Sequence, residues 1–234
     1  MLDKKVDIGI LGAMDKEVEA LISRLEGEEE EFIGGINFHR GTLEGKRVVI
    51  AKCGIGKVFA ALAAEAMIIT YSPSLIVNTG VGGALASGIS VCDVVVADRL
   101  VQHDMDTSPL GDPKGLISGI NKIYFETSAR AVNLVVEACA ELGINCHIGT
   151  IASGDVFVSK SEQKLSIREN FGASICEMEG AAIAHVAYVN NTPSCVIRAV
   201  SDSADEGSTM DYMQFLPIAA KNSTDITLAL CKNF

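Results

Sequence analysis

The sequence predicts an α/β fold in which helices cover both faces of a central sheet. Strand-like and helix-like segments mostly alternate along the chain, and the strand-like segments are continuously apolar, which is typical of strands buried on both faces. Of the 234 residues, 48% are hydrophobic, which is enough to form a substantial core. Because we find no linker, repeat or low-complexity tract, we expect one domain over residues 1–234.

The first half of the chain predicts a buried strand at 6–12 and a helix at 14–25, whose apolar residues recur at helical spacing. The acidic stretch GEEEE at 27–31 predicts a solvated turn. Next come two strands, at 36–43 and 47–53, joined by Glu44 and Gly45. An alanine-rich helix is predicted at 58–69, a strand ended by GVGG at 75–79, and a further strand at 91–98.

The second half begins with a long polar loop at 103–121, which contains glycine and proline. Helical and strand patterns then alternate to the end of the chain. Helices are predicted at 126–142, 161–170, 179–190 and 210–232. Strands are predicted at 147–152, 174–178 and 195–201.

Charge and cysteine content narrow the class of protein. The net charge of −11 disfavours binding to nucleic acid or to an acidic membrane surface, but it does not exclude a small ligand. The seven cysteines are odd in number and show no C-x-x-C spacing, which favours reduced thiols over disulfides or a zinc site. Because we find no signal peptide and no apolar run of membrane-spanning length, we expect a cytoplasmic protein.

The stretch ICEMEGAAIAHVAYVN at 175–190 places Glu177 and Glu179 at the start of an apolar helix. On a helical wheel Glu179 shares a face with apolar residues, so its carboxylate begins the helix on the buried side. A buried carboxylate must be paired or hydrogen-bonded. One interpretation is an acid favoured by the helix dipole, and the other is a ligand whose adjacent sugar hydroxyls both bind Glu179.

The apolar strand CVIRAVSD contains an arginine, Arg198, and ends at Asp202. Strand alternation places both on one side, and a buried arginine needs a carboxylate partner. The candidates are Glu17, Glu177 and Asp202. A structural ion pair is one interpretation, and a proton donor at the end of the strand, held near a ligand, is the other.

Other motifs are weaker by themselves. Glu17 is either an acid favoured in a first helical turn or a ligand-facing carboxylate at the carboxyl end of a strand. The glycines of NTGVGGA at 78–84 form either a tight turn or a cradle for a ligand. Phe157, after Gly-Asp, belongs either to the core or to a surface that stacks on a planar base. His103-Asp-Met-Asp106 lacks a matching cluster, so we expect no metal.

Taken together, six motifs resemble the 5′-methylthioadenosine/S-adenosylhomocysteine nucleosidase family of the nucleoside phosphorylase superfamily. They occur in the expected order, essentially from end to end: IGILGAMDKEVEAL, CGIGKVFAALAAE, NTGVGGAL, SGDVFVS, CEMEGAAIAHVA and IRAVSDSAD. The resemblance implies a three-layer α/β/α fold with a central mixed, twisted sheet, no cofactor and a homodimer. The implied reaction hydrolyses the N-glycosidic bond of an adenine nucleoside.

The resemblance also implies residue roles. Asp202 would be the general acid at adenine N7, Glu17 would activate the water, and Glu179 would bind the ribose hydroxyls. Arg198 and Ser201 would orient the catalytic carboxylates. The other implied contacts are Met178 against ribose and base, Phe157 stacked on adenine, the Val158 backbone at the base edge, Met14 and Ile55 lining the nucleoside pocket, and Gly82 and Gly83 near the base.

Two features depart from the family pattern. Many relatives have serine where this chain has Val81, so the water would be held mainly by Glu17 and Arg198. The loop TSPLGDPKG at 107–115 lacks the aromatic residues that some relatives place over the 5′-thio group. In the family's homodimer that loop would reach the neighbouring pocket.

Three rival functions agree less well with these motifs. A phosphorylase of this fold would gather arginines around phosphate, whereas the motifs supply Glu17 and only one arginine, Arg198. A non-catalytic adenosine-binding protein would need Glu179 but neither proton-transfer group. A dinucleotide-dependent oxidoreductase would need a G-x-G-x-x-G fingerprint, which the chain lacks.

Overall fold

The computed structural model describes residues 4–205 and 208–234 and contains one large mixed sheet within that part of the chain. Its strands are β1 (Ile8–Gly12), β2 (Glu26–Ile33), β3 (Ile36–Leu43), β4 (Lys46–Lys52), β5 (Leu75–Ala84), β6 (Val94–Gln102), β7 (Tyr124–Glu126), β8 (Cys146–Ser153), β9 (Ala173–Glu177) and β10 (Ser194–Asp202). The helices are α1 (Asp15–Ile22), α2 (Lys57–Tyr71), α3 (Ala129–Leu142), α4 (Ser161–Phe171), α5 (Gly180–Val189) and α6 (Ser208–Asn233).

The sheet is partly closed on itself. Its strand order is β10-β6-β8-β9-β5-β1-β4-β3-β2, with β7 paired to β6. Because β10 also pairs with β5, the strands β5, β9, β8, β6 and β10 form a closed ring. The strands β1, β4, β3 and β2 continue the sheet outward from β5 in that order. Parallel and antiparallel pairs both occur, so the sheet is mixed, as expected.

Alternate residues of the central strands pack against different helices. Ile10 of β1 faces the layer that contains α1, α3 and α6, whereas Leu11 faces α2 and α5. The same alternation recurs in β4, where Ile50 and Ala51 belong to opposite layers. This arrangement explains why the strands read as continuous apolar runs, because both faces are covered. It confirms the predicted three-layer fold.

The acidic stretch at 27–31 was wrongly predicted to be a turn. It lies in β2, an edge strand that pairs with β3. Its glutamates point mostly to solvent, and Glu28 and Glu29 pair with His39 and Arg40 of the neighbouring strand. Backbone pairing outweighs the low strand propensity of glutamate, and charged side chains protect such an edge from further association.

Several element boundaries also differ from the prediction, among them the strand predicted at 91–98, which is Val94–Gln102, and two with a visible cause. The strand expected to end before GVGG continues to Ala84 as β5, because its glycines are extended and paired with β10. The helix expected from residue 126 begins at Ala129, after a Ser128 cap whose Oγ accepts a hydrogen bond from the Ala131 amide. Residue 126 itself ends β7. Pairing with a distant strand sets the end of β5, whereas the pairing of β7 with β6 and the local Ser128 cap together set the start of α3.

The loop at 103–121 contains a short 3₁₀ helix, Ser108–Leu110, and its Leu110 is exposed. Among the described helices, none is long and apolar enough to cross a membrane.

Two isoleucines of β8 give a matched test of the core. Ile151 is fully buried, whereas Ile148 is 54% exposed. We expect Ile151→Ala to lower the free energy of unfolding by about 2–5 kcal/mol, because it leaves a cavity between packed layers. Ile148→Ala should change it by about 0.5 kcal/mol or less. Urea unfolding of both variants measures the difference, and equal losses would contradict the layer assignment.

Candidate active site

A cavity opens beside the ends of β1, β5, β9 and β10, and most of the predicted site residues line it. These are Met14, Glu17, Ile55, Gly83, Phe157, Val158, Met178, Glu179, Ser201 and Asp202. Arg198 is the exception, because it lies fully buried behind the carboxylates. Residues far apart in sequence meet here because the carboxyl ends of parallel strands β1, β5 and β10 share one edge of the sheet.

Glu17 is buried at the start of α1, and backbone amides hold its carboxylate. Oε2 accepts hydrogen bonds from the amides of Ala13 (2.7 Å) and Met14 (2.9 Å), and Oε1 accepts one from Val81 (3.2 Å). Burial raises the pKa of Glu17, while nearby Arg198 and the three amides oppose that rise. Val81 thus supports Glu17 through its backbone, which any residue type can do.

The glycines of β5 allow carboxylates to approach the strand. A Cβ atom at Gly80 would lie 2.6 Å from Oε1 of Glu17, and one at Gly83 would lie 2.7 Å from Oδ1 of Asp202. Of the two interpretations of NTGVGGA, a tight turn and a cradle at a strand end, the tight turn is therefore wrong. Gly80 and Gly83 instead lie inside an extended strand, where the absence of a side chain makes room for Glu17 and Asp202.

Arg198 pairs with Glu177, one of the three partners considered. Its Nη2 atom donates to Oε2 of Glu177 and to Oδ1 of Asn78, while Nη1 donates to the carbonyl of Ile197 (2.9 Å). Nη2 also lies 3.9 Å from Oε2 of Glu179. Burial works against the cation, but the surrounding carboxylates more than compensate and raise the pKa of Arg198. The guanidinium therefore stays charged.

Glu179 is the N-cap residue of α5 and is buried at the cavity wall. Its Oε1 atom accepts a hydrogen bond from the Gly56 amide at 2.8 Å, which joins α5 to the start of α2. Burial, and then the neighbouring charge of Glu177, raise the pKa of Glu179 to about 7, against the opposing effect of Arg198. The carboxylate retains acceptor positions that face the cavity.

Asp202 ends β10 beside the cavity. Its Oδ1 atom accepts a hydrogen bond from the Ala204 amide (2.8 Å), and Oδ2 accepts one from the hydroxyl of Ser201 (2.9 Å). Burial raises the pKa of Asp202, and these two donors oppose the rise. The pairing of β10 with β5 is irregular between Val200 and Asp202, so simple strand alternation does not relate Asp202 to Arg198.

Apolar side chains complete the cavity. Phe157 is 43% exposed, and its ring lies edge-on to that of Tyr212 with 5.7 Å between centroids. The hydroxyl of Tyr212 contacts the sulfur of Met14 at 3.3 Å. Tyr212 was not predicted as a site residue, because helix α6 carries no local motif at that position. Only the packing of α6 over β10 and β5 brings it to the cavity.

Two other residues were missed although the sequence carried a signal. Asn78 and Ser153 are polar residues at the centre or end of apolar strands, and both are fully or almost fully buried. Asn78 donates from Nδ2 to the Leu11 carbonyl at 3.0 Å. Ser153 donates to Glu177 and accepts from the Ala181 amide at 2.7 Å. Both position charged groups of the site, which explains why polar residues occupy apolar strands.

The two aspartates of His103-Asp-Met-Asp106 have other partners, and Asp106 accepts a hydrogen bond from the Ser108 amide. Asp104 accepts hydrogen bonds from the ammonium group of Lys57 and from the Asp155 amide. It therefore links the loop to the start of α2 and to the segment that follows β8. In the described part of the chain, no group of three or more His, Cys, Asp or Glu side chains is arranged to hold a metal ion.

Comparison with known proteins agrees with this geometry. The family model for the phosphorylase superfamily matches residues 7–232. A 5′-methylthioadenosine/S-adenosylhomocysteine nucleosidase of Oceanobacillus iheyensis is 38% identical over 226 residues, covering 96% of this chain and 98% of that protein. The Neisseria meningitidis nucleosidase of the same name, solved with methylthio-immucillin-A, has a TM-score of 0.94 and 35% identity, covering 97% of this chain and 99% of that one.

A futalosine hydrolase of Helicobacter pylori has a TM-score of 0.93 and 36% identity, covering 97% of this chain and 98% of that one. The chain belongs to the phosphorylase superfamily and, within it, to the 5′-methylthioadenosine/S-adenosylhomocysteine nucleosidase family. The family resemblance inferred from the six motifs is thereby confirmed.

The buried pair of Arg198 and Glu177 gives a test of the site's electrostatics. We expect Arg198→Met to lower the free energy of unfolding by about 3–5 kcal/mol, because it leaves Glu177 charged and unpaired. The double variant Glu177→Gln/Arg198→Met should recover part of that loss.

Arg47→Met serves as the control, because Arg47 pairs with Asp7 at the surface. We expect it to cost about 1 kcal/mol or less. Urea unfolding at constant pH compares the three variants. Equal losses for the buried and the surface arginine would contradict the assigned ion pair.

Proposed function

We propose that the protein hydrolyses the N-glycosidic bond of 5′-methylthioadenosine and S-adenosylhomocysteine, and also of 5′-deoxyadenosine. The products are adenine and a 5-substituted ribose. The observation that carries this proposal is the convergence of Glu17, Glu179 and Asp202 on one cavity, each with a different set of partners. The named relatives support the same class of reaction.

Asp202 is proposed as the general acid. Adenine leaves poorly as an anion, so protonation of N7 lowers the barrier to cleavage. A carboxyl group can donate that proton only if it is protonated before the reaction, and burial of Asp202 favours its protonated form. The Ser201 hydroxyl and the Ala204 amide fix its orientation.

Glu17 is proposed as the group that activates the water. Its three amide donors hold the carboxylate in one orientation beside Val81. Arg198 lies close enough to interact electrostatically with Glu17, and its buried Nε atom has no hydrogen-bond partner among the described residues. A water bound between Glu17 and this Nε–H would be placed for attack, which gives Arg198 the role that serine has in many relatives.

Glu179 is proposed to bind the two ribose hydroxyls. It would also stabilise positive charge that develops on the sugar in an oxocarbenium-like transition state, since a carboxylate in a site shielded from water interacts strongly with such a charge. The proposed nucleoside contacts are Met178 against ribose and base, Phe157 stacked on adenine, the Val158 backbone at the base edge, Gly83 near the base, and Met14, Ile55 and Tyr212 along the sugar and its 5′ substituent.

The rival functions fit the cavity less well. A phosphorylase must bind a phosphate dianion, yet no lysine or arginine is among the residues that line the described cavity. Arg198 already donates to Glu177 and Asn78. Glu17 would repel phosphate at the position where the nucleophile attacks. A protein that only binds adenosine would need Glu179 but not two further carboxylates placed for proton transfer.

The wider biological setting is also a proposal. We infer a single catalytic domain that acts as a homodimer in the cytoplasm and serves methionine salvage. The exposed outer face of α2 supports the dimer, because Val58, Phe59, Leu62 and Ile69 present apolar side chains there. In that dimer the loop at 107–115 would reach the pocket of the neighbouring subunit.

A product assay with 5′-methylthioadenosine tests the reaction class directly. In buffer without phosphate, we expect adenine and free methylthioribose in equal amounts. Adenine that appears only with phosphate, together with a sugar 1-phosphate, would instead establish a phosphorylase. Binding of the nucleoside without any product would favour the non-catalytic alternative.

Asp202→Asn separates catalysis from binding. The amide keeps the shape of the side chain but cannot donate the carboxyl proton, so we expect kcat to fall by about 100- to 10,000-fold. The dissociation constant for the nucleoside should change much less, as measured by calorimetry. Asp225→Asn, which removes a charge paired with Lys221 on α6, is the control and should leave both quantities unchanged. Normal turnover by Asp202→Asn would refute the acid assignment.

A further inference from the structure

Glu177 lines the cavity but makes all of its contacts with the protein. Its Oε1 atom accepts the hydroxyl of Ser153, while Oε2 accepts the amides of Glu179 (3.1 Å) and Gly180 (2.8 Å) and the guanidinium of Arg198. Oε2 therefore has three protein donors and Oε1 has one, so the protein itself holds this carboxylate in place. Glu179, its neighbour in the cavity wall, has only the Gly56 amide as a hydrogen-bond donor among the described residues.

Arg198 is held close to Glu177 and at a distance from Glu179. Nη2 hydrogen-bonds to Glu177 but lies 3.9 Å from Oε2 of Glu179, which is too long for a hydrogen bond. The same amides that bind Glu177 belong to the first turn of α5, where Glu179 is the cap. Glu177 thus determines both the position of the cation and the position of the helix that carries Glu179.

We propose that Glu177 is a positioning residue for Glu179: it keeps the Arg198 guanidinium off Glu179 and fixes the first turn of α5, so that Glu179 keeps its acceptor positions for the ribose hydroxyls. Without the charge of Glu177, Glu179 would become the nearest carboxylate partner of Arg198. A close guanidinium–carboxylate pair would then compete with the hydroxyls for the same oxygen atoms.

An ion pair that served stability alone would behave differently. Loss of such a pair would lower stability without raising KM for the nucleoside, whereas loss of a positioning residue raises KM in a protein that still folds. The charged and titratable groups that act on Glu179 or are acted on by it come from several elements: Glu177 on β9, Arg198 on β10, Glu17 on α1, Cys53 after β4 and Tyr212 on α6. Burial raises the pKa of Cys53 to about 12 and also raises that of Tyr212, so both stay neutral near pH 7.

The decisive variant is Glu177→Gln, which keeps the shape and can keep most of the hydrogen bonds. The side-chain oxygen of the glutamine can accept from the three groups that donate to Oε2 of Glu177. The side-chain amide group of the glutamine can donate to the hydroxyl of Ser153. Two changes act on Glu179 in the same direction: a like charge is lost and a cation moves closer. We therefore expect the acid limb of kcat/KM to move to lower pH by about half a unit or more. KM at pH 8 should rise about tenfold, with a smaller change in kcat.

Ser153→Ala is the matched control. It removes one donor to the same carboxylate but leaves the charge of Glu177 in place. It also removes the acceptor of the Ala181 amide in α5, but since Glu177 keeps its charge and Arg198, we expect its acid limb to move less than that of Glu177→Gln. An unmoved limb in Glu177→Gln, or an equal shift in Ser153→Ala, would overturn the positioning role.

A second measurement does not depend on turnover. A ¹³C NMR titration of the Glu179 carboxyl, assigned by its loss in Glu179→Gln, should show a lower pKa in Glu177→Gln. If that variant fails to fold, the charge-balanced Glu177→Gln/Arg198→Met variant replaces it. With neither charge present, no guanidinium competes for the Glu179 oxygens, so KM at pH 8 should stay within about threefold of the wild-type value. A higher value would overturn the proposal.

Because Glu179 binds ribose only under the proposed function, the KM readout rests on that function. Failure of the wild-type protein to cleave 5′-methylthioadenosine would refute the proposed function and leave the NMR titration to decide the role of Glu177. An active wild type with an unmoved Glu179 signal in Glu177→Gln would refute only the role of Glu177.

Discussion

A buried arginine has to be paired, and in this protein the pairing of Arg198 organises the site. The guanidinium donates hydrogen bonds to Glu177 on β9 and Asn78 on β5, and each of these residues also binds another element. Glu177 binds the first amides of α5, and Asn78 binds the end of β1. The ion pair and its hydrogen-bond partners therefore join four strands and a helix beside the cavity. Removal of either charge would leave the other buried and uncompensated.

Three carboxylates with one nearby cation cannot all be equally ionised. The amides around Glu17 favour its charged form, whereas burial acts on it in the opposite direction. Asp202 has fewer donors and lies farther along β10, so burial favours its protonated form. The proposed hydrolysis needs this difference, because one carboxyl group must donate a proton while another accepts one. Burial raises the pKa of both groups, and the number of opposing hydrogen-bond donors, three at Glu17 and two at Asp202, distinguishes them.

The close approach of two carboxylates to β5 is the second constraint on the site. Glu17 and Asp202 can stand beside β5 only because Gly80 and Gly83 carry no side chain. The strand stays in register with β10 from Gly80 to Gly82, while the amides of Gly80 and Val81 donate to the side chains of Ser223 and Glu17. The pairing irregularity near the end of β10 then turns Asp202 toward the cavity. Backbone geometry thus helps to position the proposed acid and the proposed base, together with their own hydrogen bonds.

The sequence by itself determined the order of most elements, the mixed three-layer fold and the family, because apolar periodicity and six ordered motifs are local properties. It also indicated Glu17, Glu179, Arg198 and Asp202, since charged residues in apolar segments stand out. Tertiary structure alone decided that GEEEE forms an edge strand, that Glu177 is the partner of Arg198, and that Tyr212 reaches the cavity. Each of these depends on which distant segments meet, and pairing between distant segments leaves no periodic signal in the chain.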